Sequence, residues 1–373
     1  MREAFGWKRV RRQLPKHAGF VALLLLATCV PKKSASTALA EGTSGHVASD
    51  PLRAAAGPTR RHIGVAAATW FFENPEYGRV AAREFDSLTA ENEMKWYAIE
   101  PEPGRFTFEA GDRLVAFAEE HGMRMRGHTL VWHSQLAPWV KALQGEALRA
   151  AMRRHTTQTV AHYRGRVKQW DVVNEALDDS GKLRPDSPFS ALGFEYIEDA
   201  FRAARAADPK AELFYNDYDI EAPNSAKTAG AYDLVKRLKQ RGVPIDGIGF
   251  QMHVDPRRWP SSDEMRQTFE RFAALGLRVE LTEIDVPIGE IPGSEAEKLH
   301  AQSEIARGVV KACLAVPACS GLTFWGLTDR HSWLSSPEWA KLRGNGPHRP
   351  LLLDEQYRRK PVYAGVLAAL RGR

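Results

Sequence analysis

Cysteine is scarce in this chain: 373 residues hold three, and Cys29 lies in a stretch unlike the rest. Cys313 and Cys319 stand six apart around Leu-Ala-Val-Pro-Ala. Two cysteines cannot make a structural zinc site, and no histidine sits at ligand spacing beside them. Long apolar runs are lacking too. Ala18 to Val30 is thirteen residues, too few for a stable bilayer helix but suited to the apolar stretch of an export signal. Most of the chain also lacks excess charge of one sign. The formal net charge is +6, yet residues 1–40 carry eight Lys/Arg against Glu3 alone, leaving 44 basic and 45 acidic residues after them. A phosphate-binding surface needs basic excess in the folded part, so nucleic acid is not an expected partner. No GxGxxG follows the first β-like run, and HExxH, GxxxxGK and GxSxG do not occur. This argues against dinucleotide, zinc-protease, P-loop and serine-hydrolase chemistry. Neither a metal nor a cofactor is expected.

Residues 1–40 read as an export leader, with a basic stretch up to Lys16, then the apolar run. The product is expected to be secreted or periplasmic, with no membrane-spanning segment in its mature form. Ala38-Leu39-Ala40 is an Ala-x-Ala cleavage site. Leu26-Ala27-Thr28-Cys29 instead resembles a lipobox, which would leave the protein lipid-anchored through Cys29. Arg11-Arg12 faintly resembles a twin-arginine signal. Residues 41–58, rich in Ala, Ser, Thr, Gly and Pro, read as a flexible tether, and residues 59–373 as a single domain. In an oxidising compartment Cys313 and Cys319 are expected to pair across a turn at Pro317; the alternative is two buried thiols.

From about Arg60, short β-like runs alternate with stretches of helical period. Strands are predicted near Ile63–Ala67, Ser87–Ala90, Arg124–Thr129, Gln169–Val173, Glu212–Asn216, Gly247–Gln251, Arg278–Thr282 and Gly321–Trp325. Between them, as in 193–207, apolar positions Phe194, Ile197, Phe201 and Ala204 step by three and four until Asp208-Pro209 ends the helix. Strict alternation predicts a parallel sheet with covering helices. Eight units in about 310 residues favour a closed (β/α)8 TIM barrel over an open doubly wound sheet. The last helical stretch, Val362–Leu370, is expected to close the domain with no appended binding module.

A barrel of this kind builds its site at the C-terminal ends of the strands, and seven predicted ends carry unusual polar or aromatic residues. They are Glu91-Asn92-Glu93-Met94-Lys95-Trp96, His128 to His133 with Trp132, Asn174-Glu175, Asn216-Asp217-Tyr218, Gln251-Met252-His253, Glu283-Ile284-Asp285, and Trp325 with Trp333. A single rim carboxylate more often caps a helix; seven such rims together point to a binding cleft. Carboxylates, amides and imidazoles exchange hydrogen bonds with hydroxyls, and Trp96, Trp132, Trp325 and Trp333 can cover sugar-ring faces. His128 and His133 are five apart at a strand end, a spacing that does not aim both at one metal.

Glycoside hydrolysis needs one carboxyl group to protonate the leaving oxygen and another facing the anomeric carbon. The fourth and seventh strands lie nearly opposite in an eight-stranded ring, so Glu175 and Glu283 can address one sugar from two sides. Asn174 is placed to donate to a 2-hydroxyl. His253 can donate to Glu283, with Asp285 orienting the imidazole; the bland alternative is a satisfied core histidine.

These stretches, with Gly127–Trp139, Trp170–Leu177 and Phe324–Trp333, resemble glycoside hydrolase family 10, the endo-β-1,4-xylanases, from about Ile63 to Leu370. The resemblance implies a retaining mechanism, Glu175 as acid/base and Glu283 as nucleophile. It implies that Glu91, Asn92 and Lys95 hold the xylose on the non-reducing side of the reacting ring. His128, Trp132, Asn174, Gln251 and His253 would line the reacting subsite, and Trp325 and Trp333 would roof it and crowd out a glucose hydroxymethyl. Asn216 and Tyr218 match positions toward the leaving group. The family also often pairs two cysteines before the eighth strand. Implied partners are xylan and xylo-oligosaccharides, and a monomer is expected. Met252 fills a variable slot and is expected to be harmless. Trp70-Phe71-Phe72 is more aromatic than the family suggests. It is either a distal sugar platform or a hydrophobic staple, and contiguous aromatics cannot all face a groove, which favours the staple. The loop 335–350 is expected to shape the non-reducing end. Other readings are a barrel glycosidase acting on cellulose or mixed-linkage glucan, and a non-catalytic sugar-binding lipoprotein, which would lack a carboxylate.

Overall fold

The computed structural model describes residues 50–336 and 346–373. The leader with Cys29 and its candidate cleavage sites, and residues 337–345 of the loop after Trp333, lie outside them. Eight parallel strands form the barrel: β1 (His62–Ala67), β2 (Ser87–Ala90), β3 (Arg124–Gly127), β4 (Val167–Asn174), β5 (Glu212–Asp217), β6 (Gly247–Phe250), β7 (Arg278–Ile284) and β8 (Cys319–Phe324). Each pairs with its sequence neighbour, and β1 pairs with β8 so that the sheet closes. The predicted alternation therefore becomes the predicted (β/α)8 barrel. Helices such as Glu195–Ala207, Ala226–Gln240 and Glu295–Leu314 cover its outside. Ser261 and Ser294 start two of them with complete capping boxes to Glu264 and Glu297, each satisfying backbone donors that a helix start otherwise leaves open.

The strands are nearly wholly buried because helices cover one face and side chains fill the other. Fully buried Trp170 packs against β3, and a Cβ at Gly127 would stand 2.2 Å from its ring; glycine is required there for close approach. A charged layer lies inside the barrel. Arg126 donates to Asp171 at 2.5 and 3.2 Å and to Glu280 at 2.7 Å, and Gln169 donates to Glu280 at 2.5 Å. Buried charge is tolerated only when paired and hydrogen-bonded in this way.

Two predicted boundaries are corrected. Residues 52–58, read as tether from their small-residue composition, are folded: Leu52–Ala56 is helical, with Leu52 and Ala56 fully buried. Leu52 N–H donates to Glu84 at 3.1 Å, and small residues suit close packing as well as they suit a linker. The third strand ends at Gly127 rather than Thr129; a cis peptide joins His128 to Thr129, and Val131–Trp132 then resumes pairing with β4. The cysteines pair as expected. The Cys313–Cys319 disulfide, with Cα atoms 5.5 Å apart, joins the end of Glu295–Leu314 to the start of β8.

Candidate active site

Bulges in β4 and β7 aim the central side chains. The register of β4 on β5 slips between Asp171 and Val173, so Asp171 faces Phe214 while Asn174, three residues on, faces Asn216. The slip reverses strand parity and turns Asn174 inward above Asp171. A similar slip lies between Leu281 and Ile284 of β7. Through it, successive residues Thr282 and Glu283 both reach Asn216. Glu175 leaves β4 in the left-handed region at φ 54°, which costs a non-glycine residue about 1–2 kcal/mol, and its N–H donates to the Asn216 carbonyl at 2.9 Å.

Glu175 and Glu283 are joined through amides. Asn216 Nδ2 donates to Glu283 Oε1 at 2.8 Å and to Asn174 Oδ1 at 2.9 Å. Gln251 Nε2 donates to Asn174 Oδ1 at 3.2 Å and to Glu175 Oε1 at 3.0 Å. Asn174 Nδ2 approaches Glu175 Oε1 at 3.2 Å, and Trp132 Nε1–H donates to Glu175 Oε2 at 2.9 Å. The Glu175 side chain is 12% exposed and that of Glu283 6%. Glu283 is therefore the more buried of the two.

His253 stands between two acids, with Nδ1 2.7 Å from Asp285 and Nε2 3.1 Å from Glu283. Burial alone would lower its pKa, but Asp285 and then Glu283 outweigh that and raise it to about 10. An imidazolium thus faces Glu283 at neutral pH. Asp285 also accepts from Trp333 Nε1 at 2.8 Å, which fixes that indole 5.1 Å from the His253 ring. Trp325 borders both histidines, 5.2 Å from the His128 ring and 6.3 Å from that of His253. His128 in turn bonds Asp171 at 3.0 Å.

The stretch after β2 forms a second polar group. Lys95 Nζ donates to Gln135 at 2.7 Å and to Asn92 at 3.3 Å, and lies 5.1 Å from the Trp132 ring centre. Burial lowers the Lys95 pKa despite Glu91 and Glu283. Burial likewise raises Glu91 to about 7, with Lys95 opposing and Glu93 and Glu283 adding to the rise. Lys95 can donate to a sugar hydroxyl and Glu91 can accept from one. Among the described residues no helix is long and apolar enough to cross a membrane, and no cluster of His, Cys, Asp or Glu is placed to hold a metal ion.

The site's composition is that of a carbohydrate cleft, and comparison with known proteins decides its family. The model for glycosyl hydrolase family 10 matches residues 52–369. Endo-1,4-beta-xylanase B of Thermotoga neapolitana is 44% identical over 323 residues, 85% of this chain and 90% of the relative. The native xylanase 10B structure from Thermotoga maritima superposes with a TM-score of 0.81 at 43% identity, covering 86% of this chain and 98% of that one. The xylanase 10B of Thermotoga petrophila in complex with xylobiose does so at 0.81 and 44%, covering 86% and 97%. The chain belongs to glycosyl hydrolase family 10.

Within this family 10 barrel, Glu175, Glu283, Asn174, Gln251, His253, Asp285, His128, Trp132, Trp325 and Trp333 come together in one cluster of hydrogen bonds and ring contacts, and Glu91, Asn92 and Lys95 form the polar group beside it. Trp96 does not face the cleft. It is buried, stacked at 4.0 Å on His155 and at 5.9 Å on Phe189. Sequence reasoning underrated Asn216, placed only toward the leaving group, which is the hub between Glu283 and Asn174. It also missed Gln135, partner of Lys95, and Arg184, whose guanidinium donates to the Glu175 carbonyl at 3.1 Å and to the Tyr218 hydroxyl at 2.5 Å. No motif signals these two, because their roles arise from loops that meet only in the folded chain.

Proposed function

We propose that this chain is a retaining endo-1,4-β-xylanase, acting as a monomer on internal bonds of xylan and xylo-oligosaccharides. The observation that carries the reading is the amide-bridged pair of carboxylates, Glu175 and the more buried Glu283, the latter 3.1 Å from His253 Nε2. The named xylanases among its relatives, and the neighbour that holds xylobiose, support the substrate. In the first step Glu283 bonds to the anomeric carbon as the glycosidic C–O bond breaks, and Glu175 gives its proton to the departing oxygen. In the second, water attacks the same carbon from the other face, Glu175 takes its proton, and the bond to Glu283 breaks. Two inversions give net retention, which calls for carboxyl groups about 5–5.5 Å apart. Asn174 donates to the 2-hydroxyl as positive charge builds on the ring. Glu91, Asn92 and Lys95 hold the next xylose toward the non-reducing end, and His128, Trp132, Gln251 and His253 line the reacting ring. Trp325 and Trp333, the latter fixed by Asp285, roof that ring where a glucose hydroxymethyl would stand, so xylan is preferred to glucan.

Residues 1–40 are proposed to direct export to the periplasm or outside the cell, with lipid attachment at Cys29 as the alternative outcome. Reducing-sugar release from xylan by the protein lacking residues 1–40, with product anomers followed by proton NMR, tests the reading. Short β-anomers should appear first. Silence on xylan with turnover of a β-glucan would move the substrate, and full activity of Glu283→Ala would overturn the mechanism.

A further inference from the structure

Among the described residues, the large apolar side chains that remain exposed are Trp70 at 51% and Tyr97 at 37%. Scattered exposed aromatics mean little by themselves, but both of these adjoin Glu91–Lys95. Trp70 lies on the 3-10 turn Thr69–Glu73 that follows β1. Thr69 ties the turn to the polar stretch: its N–H and Oγ1–H donate to buried Glu93 Oε1 at 2.6 and 2.9 Å. Tyr97 follows Lys95 by two residues, and its N–H donates to the carbonyl of Gln135, the residue whose side chain receives Lys95.

The three consecutive aromatics divide their work. Phe71 is buried and stacks on His331 at 4.5 Å, and Phe72 packs on Phe117 at 4.5 Å. These two are the hydrophobic staple. They fix the backbone of the turn and leave Trp70 outside, edge-on against Phe71 at 5.3 Å and 74°. A half-exposed indole forgoes much of the burial its size could give. On a pinned turn beside carboxylate and amide groups, it presents a flat apolar face next to hydrogen-bonding partners. A pyranose ring, apolar on its C–H face and polar at its edge, requires that combination.

We propose that Trp70 is a stacking platform for a xylose ring lying beyond the one held by Glu91, Asn92 and Lys95, with Tyr97 bordering the same outer surface. The cleft then grips at least three rings on the non-reducing side. The proposal rests on the xylanase reading above, and its occupant is the xylan chain itself, because Thr69, next to Trp70, is bonded to Glu93 of the stretch that holds the preceding ring.

The test compares kcat/KM of wild type and Trp70→Ala on xylohexaose and on 4-nitrophenyl β-xylobioside, which places only two rings on that side. Trp70→Ala should lose about fivefold on xylohexaose, the size of one aromatic stacking contact, mainly through KM, and stay within about twofold on the xylobioside. Trp70→Phe, keeping a smaller ring, should retain most of the xylohexaose rate even if the alanine variant is unstable. Equal loss on both substrates by Trp70→Ala and Trp70→Phe, or no loss on either, overturns the proposal while leaving the xylanase reading intact. A wild-type protein that turns over neither substrate overturns both.

Discussion

His253 shows how position alone changes a side chain's chemistry. Its ordinary value of 6.5 rises to about 10 because Asp285 and Glu283 hold the imidazolium more strongly than burial opposes it. A raised value means that the stabilisation from this contact is complete below about pH 6.5 and is lost as pH climbs through about 10. The difference in unfolding midpoint between wild type and His253→Gln should therefore be largest near pH 6 and fade by pH 10. A difference that grew across that window, measured by denaturant titration, would show that the histidine is held neutral. Of this arrangement the sequence displayed the members: three polar residues in the right rims. It could not display the charge state, which depends on atoms that the ends of β6 and β7 bring within hydrogen-bond distance of one another.

At the scale of elements, short local signals decided most of the outcome. Alternating runs and a helix stop such as Asp208-Pro209 placed the strands, and the capping boxes at Ser261 and Ser294 are equally local. What the periodicity could not reveal were the two bulges, since a slip of register leaves no mark in a pattern read one strand at a time. Without the slip in β4, Val173 rather than Asn174 would face the cleft. The Cys313–Cys319 bridge ties a helix end to the beginning of β8, at the barrel end remote from Trp325. Closing so short a loop should contribute about 2 kcal/mol. Replacing both cysteines by alanine is thus expected to lower the denaturation midpoint while leaving kcat on an aryl xyloside unchanged. A fall in kcat with an unmoved midpoint would contradict that separation.

The whole molecule depends on a seam where the two ends of the described domain meet. Buried Glu84 accepts from Leu52 N–H at 3.1 Å, from the Tyr363 hydroxyl at 2.7 Å and from Arg359 at 2.9 Å. The final helix Pro361–Leu370 lies against Glu295–Leu314, where a Cβ at Gly365 would stand 2.4 Å from Ser303 Oγ. Burial opposes the charge on Glu84, but its bonds to Tyr363, Arg359 and Leu52 lower its pKa below 4.5. Glu84→Gln should cost about 3 kcal/mol at pH 7, because it leaves partners around a buried site unpaired. That penalty should be complete above about pH 4.5 and shrink as pH falls through the lowered value. An unchanged midpoint at pH 7 would remove Glu84 from the seam.

Composition and period by themselves determined that this chain forms a closed (β/α)8 barrel. Polar residues at successive strand ends determined that its cleft suits a sugar. Both are properties of residues close together in sequence, where hydrophobic spacing and rim position act locally. Tertiary structure decided the rest. Residues 52–58 belong to the folded domain because Glu84 and the last helix supply their partners. Trp96 turns inward because His155 and Phe189 stack on it, and Trp70 stays outside because Phe71 and Phe72 take the buried places. Asn216 becomes the hub because two bulges bring Asn174 and Glu283 to the same amide. Each depends on contacts between segments tens to hundreds of residues apart, which close-packing decides only when the barrel closes.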